Sequence, residues 1–200
     1  MGYDTTVGAV MKKVLQDQSF YRRSGGGMTL SGGEVLCQPE FVHALLQEAK
    51  AHGINTAIET TACLPFHMIE PQLPYLDTVL MDIKHMNSLK HEEYTGIRNE
   101  LILANARKIA ESGAHLIIRV PTIPGFNDTE EEIRDIARFA ASLPGVEEIH
   151  LLPYHRLGYD KYVGLGREYG MGDVPPPTKE KMEILRKVAE SEGLKAVLGG

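Results

Sequence analysis

The sequence predicts an α/β fold in which helices cover a parallel sheet. Short apolar segments alternate along the chain with longer segments whose apolar residues recur at helical spacing. The short segments are almost continuously apolar, which is typical of parallel strands buried on both faces. Strand and helix follow each other in turn, and this order favours βαβ units over separate blocks of strands and helices.

The first half of the chain contains two predicted helices and three predicted strands. Val7, Val10 and Val14 lie at helical spacing after a possible cap at Thr6. Pro39 suits a first helical position, and the helix that it begins extends to a stop at Gly53. The predicted strands are residues 28–30, 54–60 and 78–81, and residues 65–71 form a short helix or turn.

The second half continues the alternation. Asp128 and Glu131 are interpreted as a capping box for a helix that bears Ile133 and Ile136, and Thr178 caps a final helix that ends at Gly193. The other predicted helix is residues 101–112, and the predicted strands are residues 116–120, 148–152 and 194–198. The long irregular region 153–177 is rich in Gly, Tyr and Pro, and loops of that length are usually functional or mobile.

Composition narrows the classes of function. The 200 residues include 21 basic and 27 acidic side chains, for a formal charge of −6. This argues against nucleic acid as the main partner, since phosphate binding needs a basic face. No apolar run approaches the roughly 20 residues of a membrane span. Cys37 and Cys63 are too few for a disulfide framework and form no metal pattern. We interpret both as packing residues and expect a cytoplasmic protein with reduced thiols.

Polar residues follow or end most of the predicted strands. Because the carboxyl ends of parallel strands form one edge of a sheet, where ligands bind in α/β folds, we expect these residues to share a site. Packing alone explains such a row poorly, since buried charge is costly without a partner. The residues are Glu34, Glu59, Asp82, Lys84, Arg119, Tyr154 and His155.

A glycine-rich stretch precedes the first of these carboxylates. The segment SGGGMTLSGGE, residues 24–34, holds five glycines and closes with Glu34. By itself it is compatible with a tight turn or an anion-binding loop. A phosphate loop would place Lys and Ser or Thr after the glycines, whereas the carboxylate that follows here repels phosphate.

Four segments together resemble a known family. GGGMTLSGGE, VLMDIKHM, RVPTIPGFND and LLPYHRLGYDKYVGLGREY occur in this order, and they are similar to segments of the activating enzymes of glycyl radical enzymes. This family belongs to the radical S-adenosylmethionine (SAM) superfamily and includes the pyruvate formate-lyase activating enzyme. The resemblance implies a partial (β/α) barrel, so that residues 1–200 would form a single domain of this type.

The resemblance also implies roles for the strand-end residues. Ser31, Gly32, Gly33 and Glu34 would grip the methionine end of SAM, with backbone carbonyls and the Glu34 carboxylate accepting hydrogen bonds from its ammonium group. The other implied contacts are Glu59 and Asp82 near the SAM carboxylate with a monovalent cation between them, Lys84 and Arg119 near the same ligand, and His155 near the ribose. Residues 157–170 would help to form the mouth that admits a glycine loop of the partner enzyme.

Two features depart from the family pattern. The family's C-x3-C-x2-C motif, which ligates a [4Fe–4S] cluster, is absent from this chain, and thiolates are what hold such clusters. We therefore expect a truncated domain that lacks the first β/α unit of the barrel. In addition, Thr60-Thr61-Ala62 replaces a small-residue pair that ends in glycine, which leaves open any detail that requires close backbone approach there.

The implied reaction needs the cluster. In the family, electron transfer from the reduced cluster cleaves SAM to methionine and a 5′-deoxyadenosyl radical, which removes a hydrogen atom from one glycine of the partner. Two alternatives stay open at this point, a cluster-free protein that binds SAM or the partner without catalysis, and an unrelated barrel enzyme.

Absence of the first strand would also leave residues 28–30 as a sheet edge, for which we expect self-association or a shift of the N-terminal helix onto the edge.

Overall fold

The computed structural model describes residues 3–155, 164, 166 and 174–199. This part of the chain forms a six-stranded sheet in which every neighbouring pair is parallel. The strands are β1 (Gly27–Leu30), β2 (Asn55–Thr60), β3 (Thr78–Asp82), β4 (Leu116–Thr122), β5 (Glu148–Pro153) and β6 (Lys195–Leu198). The helices are α1 (Val7–Val14), α2 (Gln18–Ser24), α3 (Pro39–Ala51), α4 (Ser88–Thr95), α5 (Glu100–Glu111), α6 (Glu130–Ala141) and α7 (Lys179–Glu190). The predicted α/β fold with a parallel sheet is confirmed.

The strand order is sequential, from β1 through β6. In a doubly wound fold the strand order reverses at one point and helices lie on both faces, whereas in a (β/α) barrel each strand is added on the same side of the last. The observed order is that of a barrel. Within the described residues β1 pairs with β2 alone and β6 with β5 alone, so this sheet has two edges and forms a partial barrel.

The two faces of the sheet differ in composition. Alternate residues of the strands are buried against the helices, among them Ile58, Met81 and Ile118, each less than 1% exposed. The residues between them, such as Glu59 and Arg119, are only partly buried and lie on the other face, here called the inner face. Because side chains alternate across a strand, each strand supplies the core from one face and the inner face from the other.

Close backbone approach fixes the beginning of β1. A Cβ atom placed on Gly27 would lie 1.9 Å from the backbone oxygen of Asn55, its register partner on β2. No residue other than glycine fits there without a backbone shift. The first part of the glycine-rich stretch therefore serves strand pairing.

Helix caps agree with the sequence in most places and differ at α6. Thr6 accepts a hydrogen bond from the Ala9 backbone N–H at the start of α1, and Thr178 caps α7 in the same way. The predicted capping box of Asp128 and Glu131 is wrong. Thr129 is the N-cap and accepts from the Glu132 N–H at 3.2 Å, while Asp128 Oδ1 accepts from the Gly125 N–H in the preceding turn.

Two helices were not predicted. Neither α2 nor α4 has a wide apolar stripe, since α2 has no fully buried residue and α4 buries His91 alone. At the N-terminus, α1 packs against α3 and buries Met11, so the structure places this helix on α3. Among the described residues, no helix is long and apolar enough to cross a membrane.

Candidate functional site

Five of the predicted site residues form one continuous network on the inner face. Arg119 lies at its centre, because its Nη1 donates to Glu59 Oε1 at 2.7 Å and its Nε and Nη2 donate to Asp82 Oδ1 at 3.0 and 2.9 Å. Lys84 Nζ donates to the other Asp82 oxygen at 3.3 Å, and Ser31 Oγ donates to Glu59 Oε2 at 2.6 Å. The network thus joins residues in or just beyond four adjacent strands, β1 to β4.

Strand register brings the central ion pairs together. Asp82 is the register partner of Arg119 on the neighbouring strand. The Arg119 side chain is 12% exposed and that of Asp82 is 18% exposed, so the pair is largely screened from water. Glu59 and Asp82 accept from three of the five N–H groups of the guanidinium, which leaves two that could donate to a further carboxylate.

The charges in this network shift each other's protonation. Burial alone would lower the pKa of Arg119, but Asp82 and Glu59 raise it overall, so the guanidinium stays charged. Burial alone would raise the pKa of Glu59, but the hydrogen bonds from Ser31 and Arg119 and the charge of Arg119 lower it overall. The Arg119 guanidinium thus lies between Glu59 and Asp82, the two carboxylates at which the resemblance implies a monovalent cation. The cation itself stays a prediction.

The second half of the glycine-rich stretch forms an open turn after β1. Gly32 has a φ of +152°, a conformation that residues with a Cβ rarely adopt. At both Gly32 and Gly33 a Cβ would project into open space. The turn lines a cleft of about 460 Å³ together with the start of α3 and the segment Tyr3 to Thr5, so backbone groups here are accessible to a ligand.

Glu34 is held by the protein itself. Its Oε1 accepts from Thr60 Oγ1 at 2.7 Å and from the Leu36 N–H at 3.3 Å. Its Oε2 accepts from the Thr61 N–H at 2.9 Å and from Thr61 Oγ1 at 2.8 Å. A carboxylate offers about four lone-pair positions, so these four donors use the acceptor capacity that the sequence analysis assigned to a ligand ammonium group. The structure thus gives Glu34 the task of fixing the glycine turn to the end of β2.

The segment that departs from the family pattern contains an unusual backbone conformation. Ala62 has a φ of +52°, which is the one positive φ among the described residues other than glycine. The side-chain amide of Asn105 donates to the backbone oxygens of Ala62 and Leu64, both at 2.8 Å. A left-handed residue costs free energy, and this buried clamp holds the chain in that conformation directly after Thr61.

His150 is a neighbour of the network that the sequence analysis missed. It is the register partner of Arg119 on β5 and lies on the same inner face. Its Nε2 pairs with Glu148 at 2.6 Å, and Glu148 also accepts from Lys195 at 2.6 Å. Its Nδ1 is buried, and no described residue bonds to it. The signal was available in the sequence, because period two places His150 on the face of Arg119 once the strands are aligned.

The remaining predicted residues lie at the end of β5. His155 is exposed and follows β5 by two residues, after Tyr154, whose backbone N–H donates to the Thr122 oxygen of β4 at 3.1 Å. His155 therefore belongs to the same edge of the sheet. The predicted mouth, residues 157–170, falls outside the described part of the chain apart from residues 164 and 166.

The residues of this chain do not fit a four-iron cluster. The full sequence contains two cysteines, and Cys37 is exposed rather than packed in the core. Burial and the charge of Glu34 raise the pKa of the Cys63 thiol, which disfavours the thiolate that metal binding requires. Within the described residues no group of three His, Cys, Asp or Glu side chains could hold a metal ion.

The chain is similar in sequence to known proteins over most of its length. Residues 4–140 match the radical SAM superfamily. The chain is 53% identical over 175 residues to the isethionate sulfite-lyase activating enzyme of Desulfovibrio desulfuricans, and this alignment covers 86% of this chain and 56% of that relative. It is 36% identical over 200 residues to the pyruvate formate-lyase 2-activating enzyme of Escherichia coli, which covers all of this chain and 68% of that relative.

A solved structure has the same architecture. A crystal structure of a domain of a pyruvate-formate lyase-activating enzyme from Bacteroides vulgatus gives a TM-score of 0.73 at 34% identity, over 88% of this chain and 99% of that one. The partial barrel is therefore a shared feature. The chain nevertheless spans a little over half the length of the Desulfovibrio relative, at 56%.

Proposed function

Because this chain belongs to the radical SAM superfamily, among the activating enzymes of glycyl radical enzymes, we propose that it binds SAM across the carboxyl edge of its sheet. The observation that carries this proposal is the network centred on Arg119, which joins residues from four adjacent strands beside an open glycine turn. Residues from four strands meet at this place, and their positive and negative charges would complement the carboxylate and ammonium groups of an amino acid moiety.

Each end of the methionine moiety has a suitable partner. The backbone carbonyls of the glycine turn at Ser31, Gly32 and Gly33 accept hydrogen bonds from the ammonium group, and charged partners of this kind make the stronger hydrogen bonds. The carboxylate of the ligand approaches Arg119 and Lys84, whose positive charges Glu59 and Asp82 hold in place. His155 contacts the ribose at the end of β5.

Glu34 contributes to SAM binding through the shape of the glycine turn in this proposal. Its four hydrogen bonds to Thr60, Thr61 and Leu36 fix the turn to β2. A preorganised turn binds a ligand more tightly, because less conformational freedom is lost on binding.

We further propose that the complete protein installs a radical on a glycine residue of a partner enzyme. The relatives are named as activating enzymes for isethionate sulfite-lyase and for pyruvate formate-lyase 2, and a glycyl radical enzyme is the corresponding partner here. When bound, SAM would supply the 5′-deoxyadenosyl group that takes up the hydrogen atom lost by that glycine. The cytoplasm is the proposed location.

A second candidate function is SAM binding without catalysis by this chain. The observation that favours it is the cysteine content, since two cysteines cannot supply the three thiolates of a cluster motif. We assign no step of SAM cleavage to residues of this chain. SAM binding is common to both candidates, so it is the property to measure first.

Two aspartates at opposite ends of β3 provide a matched test. Asp82 lies at the carboxyl end of the strand in the proposed site, whereas Asp77 precedes its amino end and pairs with Lys50 at 2.7 Å. We expect Asp82→Ala to weaken the binding of radiolabelled SAM in equilibrium dialysis by about tenfold, because Arg119 and Lys84 lose the carboxylate that orients them. Asp77→Ala should retain binding. Equal affinity of the two variants, or no binding by the unaltered chain, would remove the proposed site.

A further inference from the structure

We propose that Asn127 is a positioning residue for Lys84, and that Asn99 and Glu132 assist it by holding the loop on which Lys84 lies. This inference rests on the proposed SAM site, to which Lys84 belongs. The loop consists of residues 83–87, which directly follow Asp82 at the end of β3. Buried polar side chains from three other places in the fold bind its backbone.

Asn127 ties this loop to the end of the neighbouring strand. Its Nδ2 donates to the backbone oxygens of Lys84 at 2.7 Å and Pro121 at 2.8 Å, and its Oδ1 accepts from the Ile123 N–H at 2.7 Å. The residue is fully buried. One side chain thereby fixes the backbone of Lys84 relative to β4, the strand that carries Arg119.

Asn99 and Glu132 bind the next part of the loop from the helical side. Asn99, which precedes α5, donates from Nδ2 to the oxygens of His85 and Met86 at 2.7 and 2.9 Å. Glu132, in the first turn of α6, accepts from the Met86 N–H at 2.5 Å and lies 2.9 Å from His85 Nδ1. Asn99 and Glu132 are 2% and 8% exposed, respectively. Their hydrogen bonds act in a region of low dielectric, where they are strong.

These contacts hold the backbone and leave the Lys84 side chain to the site. His85 turns into the interior, where it is 2% exposed, while Lys84 Nζ reaches Asp82 on the inner face. Small errors in the placement of a binding group are costly, and groups that support such a residue commonly change affinity tenfold or more. The three buried side chains therefore set the position from which Lys84 meets its ligand.

A double-mutant cycle separates this role from a contribution to folding alone. We expect Asn127→Ala to weaken SAM binding about tenfold and Lys84→Ala to weaken it at least as much. In the Lys84→Ala background, Asn127→Ala should cause no further loss of SAM affinity. By contrast, Asn127→Ala should lower the unfolding free energy by the same amount in the unaltered chain and in Lys84→Ala. A loss of the same factor in both backgrounds, or unchanged affinity in Asn127→Ala, would overturn the proposal.

The matched control is Gln72→Ala. Gln72 is also a buried amide, 2% exposed, and it donates to the backbone oxygens of Pro39 and Met68, both at 3.3 Å. This variant should lose stability like Asn127→Ala but retain SAM affinity. Equal loss of affinity in both variants would show that instability alone accounts for the effect, and would refute the positioning role.

A measurement without SAM keeps this test independent of the proposed function. After reductive ¹³C-methylation, the Lys84 resonance is identified by its absence from the spectrum of Lys84→Arg, and its position near Asp82 should set it apart from exposed lysines. Asn127→Ala should shift the Lys84 resonance towards those of the exposed lysines, whereas Gln72→Ala should leave the Lys84 resonance in place. An unmoved Lys84 resonance in Asn127→Ala would refute the positioning role, while failure of SAM to bind with the shift present would refute the SAM site alone.

Discussion

Every lone-pair position of the Glu34 carboxylate faces a hydrogen-bond donor, so a side chain at this position must supply an acceptor for each of these donors. In Glu34→Gln, the side-chain amide would present N–H groups to the donors of Thr60 or Thr61. A buried donor left without an acceptor costs about 1–3 kcal/mol, and we expect a loss of that size in urea unfolding. Glu93→Gln, at an exposed position of α4, is the control. If both variants unfold alike, these four hydrogen bonds do not stabilise the turn.

The lowered pKa of Glu59 predicts how Arg119 contributes to stability at different pH. A carboxylate with a pKa lowered on folding stabilises the fold above its unfolded pKa, and this stabilisation disappears as pH falls through the folded value. Arg119→Gln removes a partner that lowers the pKa of Glu59. The difference in unfolding free energy between the unaltered chain and this variant should therefore be largest near neutral pH and shrink below the ordinary glutamate pKa of about 4.3. Denaturant titrations at several pH values would measure it, and a difference independent of pH would contradict the expectation.

At the residue scale, sequence reasoning placed the charged groups but could not assign their partners. That Arg119 and Asp82 would share one edge followed from strand ends alone. Glu34 accepts hydrogen bonds from Thr60 and Thr61, which lie 26 and 27 positions further along the chain. No local sequence pattern predicts such contacts. Asn127 was missed for the same reason, because a loop asparagine looks alike in sequence whether it is exposed or fully buried.

Helix α6 shows how closely a cap can be located. Thr129 accepts from the Glu132 N–H, so Thr129→Ala should lose about 1 kcal/mol of stability, and Thr129→Ser, which keeps the hydroxyl, should lose far less. Thermal and urea unfolding would measure both. If serine is no better than alanine at this position, the hydroxyl does not cap the helix.

Element prediction failed where two signals compete or where neither is strong. At α6 the sequence analysis assigned the cap to Asp128, but Asp128 accepts from Gly125 in the preceding turn and the adjacent Thr129 caps the helix. The acidic residue that matters next to this cap is Glu132, which turns inwards to the loop after β3. The elements with clear apolar patterns, such as α3 after Pro39 and the strand at β4, were predicted to within two residues at each end, because core packing and local pattern favour the same structure there.

At the scale of the whole molecule, the sheet edge at β1 predicts self-association. Within the described residues β1 pairs with β2 alone, and the unpaired backbone groups of an edge strand can pair with another chain. We expect the apparent mass in light scattering to rise with concentration, and Thr29→Lys, which places a charge at an exposed position of this strand, to reduce it. A monomer at all concentrations, with rapid hydrogen exchange at Thr29 and Leu30, would contradict this prediction.

The two faces of the sheet have a consequence for how sequences of this kind can diverge. Ile58 and Ile118 contact the helical layer, whereas their neighbours Glu59 and Arg119 lie on the inner face. Substitution of the isoleucines would chiefly lower the cellular abundance of folded protein, while substitution of their neighbours would, in the proposed SAM site, change ligand recognition as well as stability. Adjacent codons are thus exposed to different selection pressures, and variation along each central strand should alternate between positions limited by protein abundance and positions limited by ligand identity.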